Sequence, residues 1–217
     1  MLSILEPLQH VFRLSIFTIF LGFFLDTTLA INSTLQLIKK SPELYLQGIM
    51  ANHLNLFLLS PIYYIGAYNL ILDTQDTDFH VSKYLFIIII HHICYHFLHQ
   101  WMHEIYELSW IHSFHHKFTL TTPTSGNAVT LYEFQLAYVL PFLIGGFITQ
   151  PNLIEFDLSI GTISLFNLLI HTRELDFLEY PDFLVSPKDH LMHHEIKSKT
   201  YSAPIFNIGY FLKKKNE

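Results

Sequence analysis

Nine of the fifteen histidines in this sequence recur at spacings that suit metal chelation. They form an H-x3-H pair, an H-x2-H-H motif that begins nine residues later, and a distal H-x2-H-H motif, with one isolated histidine before the last motif. These residues are His99, His103, His112, His115, His116, His171, His190, His193 and His194. Because residues three and four apart share a face of an α-helix, each motif predicts two or three imidazole nitrogens on one helical face.

Nine imidazoles exceed the three or four ligands that one tetrahedral zinc ion needs, and they suffice for two metal ions with open positions. Any one of these histidines alone would more often be an ordinary surface or core residue, but the repeated spacings favour metal binding. Imidazole binds iron, zinc, copper and nickel, so the ligand type alone does not select the metal. The single cysteine, Cys94, excludes an intrachain disulfide and a Cys-rich zinc site.

The composition indicates a membrane protein. The chain is 51% hydrophobic and 14% charged, whereas an average soluble domain is about 25% charged. So much apolar surface cannot remain solvated, which excludes a disordered chain and argues against a soluble fold. The net charge of −6, without any Lys/Arg cluster interleaved with aromatic residues, argues against nucleic-acid binding.

Stretches without charged residues locate the membrane segments of the helices. They run over residues 14–25, with apolar character resuming after Asp26 up to Ile38, and over residues 44–72, 84–103, 134–154 and 158–172. A helix of roughly 20 apolar residues crosses a bilayer. The sequence therefore predicts an all-α membrane bundle of four to five spans in a single domain, residues 1–217. Pro61 and Pro141 are expected to kink their helices or to split each run into a re-entrant pair.

The distribution of cations predicts the orientation. If the first three runs each cross once and the last two form a hairpin, one side of the membrane holds Lys39, Lys40, Lys117, Arg173, Lys188, Lys197, Lys199, Lys213, Lys214 and Lys215. Only Arg13 and Lys83 fall on the other side. The positive-inside rule makes the cation-rich side, which also carries the histidines, cytosolic. The membrane would be the endoplasmic reticulum of a eukaryote or the inner membrane of a bacterium.

These motifs, in this order, resemble the fatty acid hydroxylase/sterol desaturase superfamily, over roughly Tyr84 to Pro204. The gap of nine residues is most similar to the sterol-desaturase and sterol C4-methyl-oxidase branch. His171 matches the isolated histidine that the family carries at the end of its last membrane helix, and Glu133 matches a glutamate often found after the second motif.

The resemblance implies a membrane di-iron oxidase, with the nine histidines as ligands of two iron ions, for which zinc is a possible substitute. Such an enzyme uses O2 and two electrons to hydroxylate or desaturate an unactivated C–H bond in a lipid. An apolar chamber among the helices would hold that lipid. The sequence has no Gly-rich nucleotide loop and no haem motif, so a separate electron donor, such as a cytochrome b5- or ferredoxin-like protein, is expected.

The sequence departs from the family pattern at Gln100, where the family usually has Arg, and at His92 and His96, where it often has Asp and an aromatic residue. His92 and His96 are expected either to hydrogen-bond ligating histidines or, with more weight, to pack in a polar network. Asp189 and Glu133 are the carboxylates expected to orient imidazoles. The substrate stays open among a sterol, a fatty acyl chain, a sphingoid chain and an alkylglycerol.

Other classes of protein fit the histidines less well. A metal-dependent membrane hydrolase or lyase on the same scaffold would consume no O2. A metal transporter should line a path across the membrane with polar ligands, whereas these histidines cluster at one face. A catalytically silent metal-binding member of the family should lack a motif histidine, and every core motif here is intact.

Overall fold

A computed structural model of the chain describes residues 4–197 and 200–213, and the secondary structure of that part is helical apart from one isolated β-bridge. The α-helices are α1 Leu5–Thr28, α2 Ile31–Lys40, α3 Pro42–Leu54, α4 Ser60–Leu70, α5 Val81–Glu104, α6 Ser109–Ser113, α7 Leu131–Glu133, α8 Leu140–Thr149, α9 Leu153–Ile170, α10 Pro187–Ile196 and α11 Ile208–Lys213. The predicted all-α class is confirmed.

Within the described ranges, four helical segments are long and apolar enough to span a membrane: Leu5–Thr28, Val81–Glu104, Leu131–Thr149 and Leu153–Ile170. Large apolar side chains stand exposed on their outer faces, among them Phe20 at 67% and Phe147 at 71%. A bilayer removes such surfaces from water, so this pattern is typical of membrane helices. The predicted membrane bundle is confirmed.

The first predicted run differs from the structure in length. α1 begins at Leu5, includes Asp26 and ends at Thr28. Leu29 and Ala30 are not helical, and α2 starts at Ile31. α1 can contain Asp26 because this carboxylate is only 1% exposed and accepts hydrogen bonds from the Thr124 backbone N–H at 3.1 Å and from its Oγ1. A charge near hydrocarbon is tolerated when it faces the bundle interior and has partners.

The two prolines neither split their helices nor form re-entrant pairs. Each is preceded by a π-helical turn, Asn55–Leu59 before Pro61 and Phe134–Val139 before Pro141. Proline lacks the N–H of a regular turn and its ring clashes with the carbonyl four residues earlier. A wider turn relieves this clash, so both segments continue as helices through the proline.

The bundle has a histidine end and an opposite end. At the opposite end, the Asp73 N–H donates to the Pro151 carbonyl at 2.9 Å, and the Asn152 amide donates to the Asp78 carbonyl at 2.7 Å. The helical segment Pro42–Leu70 runs antiparallel to α1 between the two ends, packed on it mainly through α4. Of the cations assigned to the histidine side, Lys199, Lys214 and Lys215 lie outside the described residues.

A loop at the histidine end is held by side chains from three surrounding helices. It covers residues 121–129 and joins the second histidine motif to α7. Asp26 accepts a hydrogen bond from its backbone, while Asn52, Asn55 and Asn167 donate to its carbonyl groups at 2.9–3.0 Å. These bonds replace the partners that a buried loop would otherwise lack. The loop is thereby fixed in position, and it packs against His115 and His171.

Candidate metal centre

The nine motif histidines meet at one end of the bundle in two groups. The five-histidine group contains His99, His103, His112, His116 and His193. The four-histidine group contains His115, His171, His190 and His194. Within each group the ring nitrogens lie within 4.8 Å of one another.

Two of the motifs divide their histidines between the groups. On α10, His190 and His194 join the four-histidine group, while His193 joins the other. Successive residues of a helix are turned by about 100°, so His193 and His194 face different groups although they are neighbours. The sequence predicted that the three nitrogens of each H-x2-H-H motif share a helical face; in the structure each of these motifs contributes to both groups.

The five-histidine group is assembled from α5, α10 and the turn around α6. His99 and His103 lie one turn apart at the end of α5, with their Nε2 atoms 3.2 Å apart. The His99 Nε2 atom is 2.7 Å from that of His112 and 3.1 Å from that of His193. His116 Nε2 lies 3.1 Å from His103 Nε2.

The four-histidine group surrounds His171, which follows the last residue of α9. Its Nε2 atom lies 3.2 Å from that of His115, 2.8 Å from that of His190 and 3.2 Å from that of His194. Imidazole nitrogens bind zinc at about 2.0–2.1 Å, so two ligands at a right angle around such an ion are about 3 Å apart. Both groups therefore have the spacing of nitrogens that converge on a metal ion.

Hydrogen bonds at the far side of the rings orient three of the histidines. The Nδ1–H groups of His99 and His171 donate to the Tyr201 and Asn167 carbonyls at 2.9 and 2.6 Å. His112 Nδ1 pairs with the Glu133 carboxylate at 2.6 Å. A proton on Nδ1 leaves the Nε2 lone pair free for a metal, and outer partners of this kind fix ring orientation in metal sites.

The other residues expected to orient ligands have different partners. His92 accepts the Ile205 N–H at its Nε2 and pairs with the Ile88 carbonyl, and His96 pairs with Ser202. These bonds tie α5 to the C-terminal segment, whose Tyr201 carbonyl holds His99. Asp189 completes the capping box that begins α10, so it positions the helix that carries the distal motif rather than an imidazole directly.

Burial keeps the motif histidines outside the spans neutral at pH 7. It lowers the pKa of His171 to about 4 and that of His116 to about 3. It also lowers the pKa values of the remaining ones, and neighbouring imidazoles lower them further: His112, His115, His190, His193 and His194. Metals bind only the neutral imidazole, so these groups are ready to ligate without losing a proton.

The donor set fits redox-active or Lewis-acidic metal ions of the first transition row. It consists of neutral nitrogens, with no thiolate within the described residues, and it is divided five and four. Unpartnered Nδ1 atoms remain on His116, His190, His193 and His194. Each of the two groups contains enough nitrogens to hold a metal ion.

An apolar cavity of about 110 Å³, partly open to the surroundings, lies in the bundle next to Asn127 and Val129 of the loop, and none of the nine motif histidines lines it. Its walls come from α1, the Pro42–Leu70 segment, the Leu131–Thr149 segment and α9, and both π-helical turns contribute to them. Asn167, one turn before His171, lies at one end, and Phe156 lies towards the other. Its apolar lining suits part of a hydrocarbon chain.

Sequence reasoning missed several residues of this site. Gly126 packs so closely on His171 that a Cβ atom there would lie 2.7 Å from its Nδ1. The signal was the turn-rich sequence Thr-Thr-Pro-Thr-Ser-Gly-Asn after the second motif. Asp26, which accepts hydrogen bonds from Thr124 of the loop, was also missed. Its position was a usable signal, because an ionisable residue inside a membrane helix is by default a functional candidate. The Tyr201 carbonyl had no signal, since any residue supplies one.

Comparison with known proteins identifies a protein family that the chain matches. A protein-family model described as "Fatty acid hydroxylase" matches residues 84–212, more than half of the chain and a range that contains all nine histidines. No curated protein and no solved structure matches the chain.

Proposed function

The chain belongs to the fatty acid hydroxylase family, and from that premise we propose that it oxidises an unactivated C–H bond of a membrane lipid, with two iron ions held by the nine histidines. The observation that carries the proposal is the pair of histidine groups beside an apolar cavity inside a membrane bundle, where Asn167 lines the cavity one turn before His171. Family membership supports the class of chemistry, and this juxtaposition supports a reaction at the histidine end.

The overall reaction consumes one O2 and two electrons. In hydroxylation, R–H, O2, two electrons and two protons give R–OH and water. In desaturation, two hydrogens leave adjacent carbons and both oxygen atoms end as water. Iron bound at the two groups would supply the activation of O2 that an inert C–H bond requires.

The residues of the chain contribute ligands, orientation and exclusion of water. The neutral imidazoles would hold two iron ions without adding negative charge to the site. Glu133 and the Tyr201 and Asn167 carbonyls hold ring protons on Nδ1. Phe142, Phe156 and their apolar neighbours around the cavity hold the lipid and keep water from the reacting carbon.

The electrons must come from outside the described fold, so we propose a separate donor protein of the cytochrome b5 or ferredoxin type. The described cations support a cytosolic histidine end, because Lys39, Lys40 and Lys117 lie there, whereas Lys83 bonds Asp76 at the other end. In the Lys40→Cys variant, a membrane-impermeant thiol reagent should label the new cysteine in inverted vesicles and not in right-side-out vesicles. Labelling in right-side-out vesicles would contradict a cytosolic histidine end.

The first experiment measures metal content per chain by mass spectrometry. The protein is purified in mild detergent from iron-supplemented cells without chelators or nickel affinity. About two iron ions per chain are expected in the wild type, and a loss is expected in His115→Ala. His53→Ala is the matched control, because His53 is an exposed histidine of α3 outside both groups.

The second experiment measures O2 uptake with a chemical reductant and a total lipid extract. The proposal expects O2 consumption in proportion to oxidised lipid, and none in His115→Ala. Two zinc ions without iron, together with lipid cleavage that consumes no O2, would replace the proposal with a metal-dependent hydrolase. Full activity of His115→Ala would contradict the ligand assignment.

A further inference from the structure

The short helix α2 divides its side chains into three sectors around its axis, at about 100° per residue. The sector packed on the protein contains Ser33, Thr34 and Leu37. An exposed apolar sector contains Ile31, Leu35 and Ile38. An exposed polar sector contains Asn32, Gln36, Lys39 and Lys40. A helix at the surface of a water-soluble protein turns its apolar face inward, so the outward apolar sector, in which Leu35 is 56% exposed, needs a partner of its own.

Contacts with the segments that carry the histidines fix the rotation of α2 about its axis. The Ser33 N–H and hydroxyl donate to the carboxylate of Glu174, on the turn that follows α9, at 3.2 and 2.8 Å. Leu37 shares a buried cluster with Phe118, just after the second histidine motif, and with Ala128 of the loop. The apolar sector therefore cannot turn towards the protein interior.

α2 begins where the first membrane span ends. α1 has 24 residues and is about 36 Å long at 1.5 Å per residue, whereas the hydrocarbon core of a bilayer is about 30 Å thick. Leu29 and Ala30 alone separate α1 from α2. The ten residues of α2 extend over about 15 Å, which is too short to cross the bilayer again. The apolar sector, preceded by the exposed Leu29, thus continues the bilayer-facing surface of α1 at the histidine end.

The polar sector of α2 carries an excess of positive charge. The side chains of Lys39 and Lys40 are exposed and have no ion pair or hydrogen bond among the described residues. Lys117 adds a third cation nearby, because the residue that follows it shares the buried cluster with α2. Glu43 is an exposed carboxylate at the start of α3, and it leaves the cations in excess. Lysines beside a membrane are attracted to anionic lipid headgroups.

We propose that α2 lies in the headgroup layer at the histidine end, with its apolar sector in the bilayer and with Lys39 and Lys40 bound to anionic phospholipid headgroups. An apolar face beside a cationic face is the usual form of an interfacial membrane anchor. No residue of α2 belongs to a histidine group or lines the apolar cavity, so this interaction surface does not depend on the proposed oxidation.

The first test locates the apolar sector relative to the bilayer. The full chain, with Cys94→Ser, is placed in phospholipid nanodiscs and carries a nitroxide on Leu35→Cys or on Gln36→Cys. Both positions are exposed, so the label displaces no packed side chain. The nitroxide of Leu35→Cys should collide more often with O2, which concentrates in hydrocarbon, than with a water-soluble nickel chelate, and that of Gln36→Cys should show the reverse. Free access of the chelate to both positions, or protection of Leu35→Cys from both reagents by a covering protein, would overturn the proposal.

The second test measures lipid selectivity next to the two lysines. A fluorescent probe on Gln36→Cys is quenched by trace nitroxide-labelled phosphatidylglycerol or phosphatidylcholine in phosphatidylcholine nanodiscs. Each lysine near the surface favours the anionic lipid by roughly fivefold, so phosphatidylglycerol should associate with α2 roughly 10- to 30-fold more strongly. The preference should fall when the salt concentration rises from about 0.1 M to 1 M, because the Debye length shrinks from about 10 Å to 3 Å.

Three variants assign the selectivity to the charge of these lysines. Lys39→Gln/Lys40→Gln should remove the preference for phosphatidylglycerol, whereas Lys39→Arg/Lys40→Arg retains both charges and should keep it. Lys188→Gln is the matched control, because Lys188 is an exposed cation of the histidine end that lies on α10. Equal association of the two lipids with the wild-type side chains, a preference that survives the loss of both lysines, or an equal loss in Lys188→Gln would overturn the proposal.

Discussion

The five-histidine and four-histidine groups share a ligand type but differ in burial. Every member of the four-histidine group is at most 1% exposed. In the five-histidine group, His103 is partly exposed at the end of α5. The group around His171 also adjoins the cavity through Asn167. The four-histidine group is therefore enclosed next to the apolar cavity, and the five-histidine group lies nearer to solvent.

The groups differ also in the partners of their rings. A carboxylate, Glu133, pairs with His112 in the five-histidine group. In the four-histidine group the partners are backbone carbonyls, which His171 and His115 face at 2.6 and 3.4 Å. A carboxylate makes its imidazole a stronger donor to the metal, whereas a carbonyl mainly sets orientation. The five-histidine group therefore has one charged outer partner besides the Tyr201 carbonyl at His99, whereas the outer partners found in the four-histidine group are neutral. Each of the following predictions tests part of the difference between the groups.

The largest expected effect is that of His194→Ala compared with His103→Ala. Loss of His194 leaves three ligands, the smallest set that holds a tetrahedral ion, in a buried group, so metal affinity should fall more than in His103→Ala and activity should fall below detection. Loss of His103 leaves four ligands, which suffice for one ion, so most of the metal should remain. Metal content and O2 uptake of the two variants check this. Equal losses in both variants would remove the distinction between the groups.

Glu133→Gln should affect the five-histidine group alone. The amide keeps the shape and can still accept from His112, but it removes the charge that strengthens this ligand. A drop of roughly 10- to 100-fold in metal affinity is expected for one ion, measured by competition with a chelator. Glu195→Gln is the control, because Glu195 is exposed, follows His194 in the chain and pairs with Arg173 rather than with a histidine among the described residues. A biphasic loss with one unaffected ion is expected, and uniform weakening of both would contradict the assignment.

The sequence predicted the helical class and the residues of the candidate site, but not how the site is divided. Spacing indicates that His190, His193 and His194 lie on one side of α10. Which group His193 joins depends on where α5 and α9 end relative to α10 in the folded protein, and residue spacing along α10 carries no information about that. The cavity was equally hidden, since its walls come from segments far apart in sequence. Asp26 could have been identified, because a carboxylate in an apolar run needs an internal partner.

Gly126→Ala should damage the four-histidine group by steric overlap. Its new methyl group would lie 2.7 Å from His171 Nδ1 and 3.1 Å from the Asn167 carbonyl. Overpacking of this kind costs about 1–3 kcal/mol, and here it displaces the central ligand. Thermal unfolding and metal content are the measurements. Gly161→Ala, which meets open space on α9, should be neutral or slightly stabilising. An unchanged metal content in Gly126→Ala would show that the loop shifts enough to accept the methyl group without displacing His171.

The smallest expected effect is that of mild acid on the bound metal. An ordinary histidine site loses metal as the pH falls through about 6.5. Here burial lowers the pKa of His171 to about 4 and that of His116 to about 3, so protons compete with the metal only well below pH 6. Metal content should therefore stay constant between about pH 8 and pH 6. Dialysis at stepped pH followed by mass spectrometry measures it, and a midpoint of loss near 6.5 would contradict the enclosure of the rings.

The same lowered pKa values determine how stability depends on pH in the metal-free protein. The unfolded chain binds protons at these histidines from about pH 6.5 downwards, whereas the folded chain binds them only near pH 4 at His171. Their contribution to stability is therefore fully present above pH 6.5 and is lost as the pH falls towards 4. Melting temperatures of metal-free protein should fall through this window while those of the metal-loaded protein change less. As the pH falls, the metal-loaded protein should lose metal from the five-histidine group before the four-histidine group, because the partly exposed His103 lets protons reach the five-histidine group. That loss should account for the smaller fall in its melting temperature.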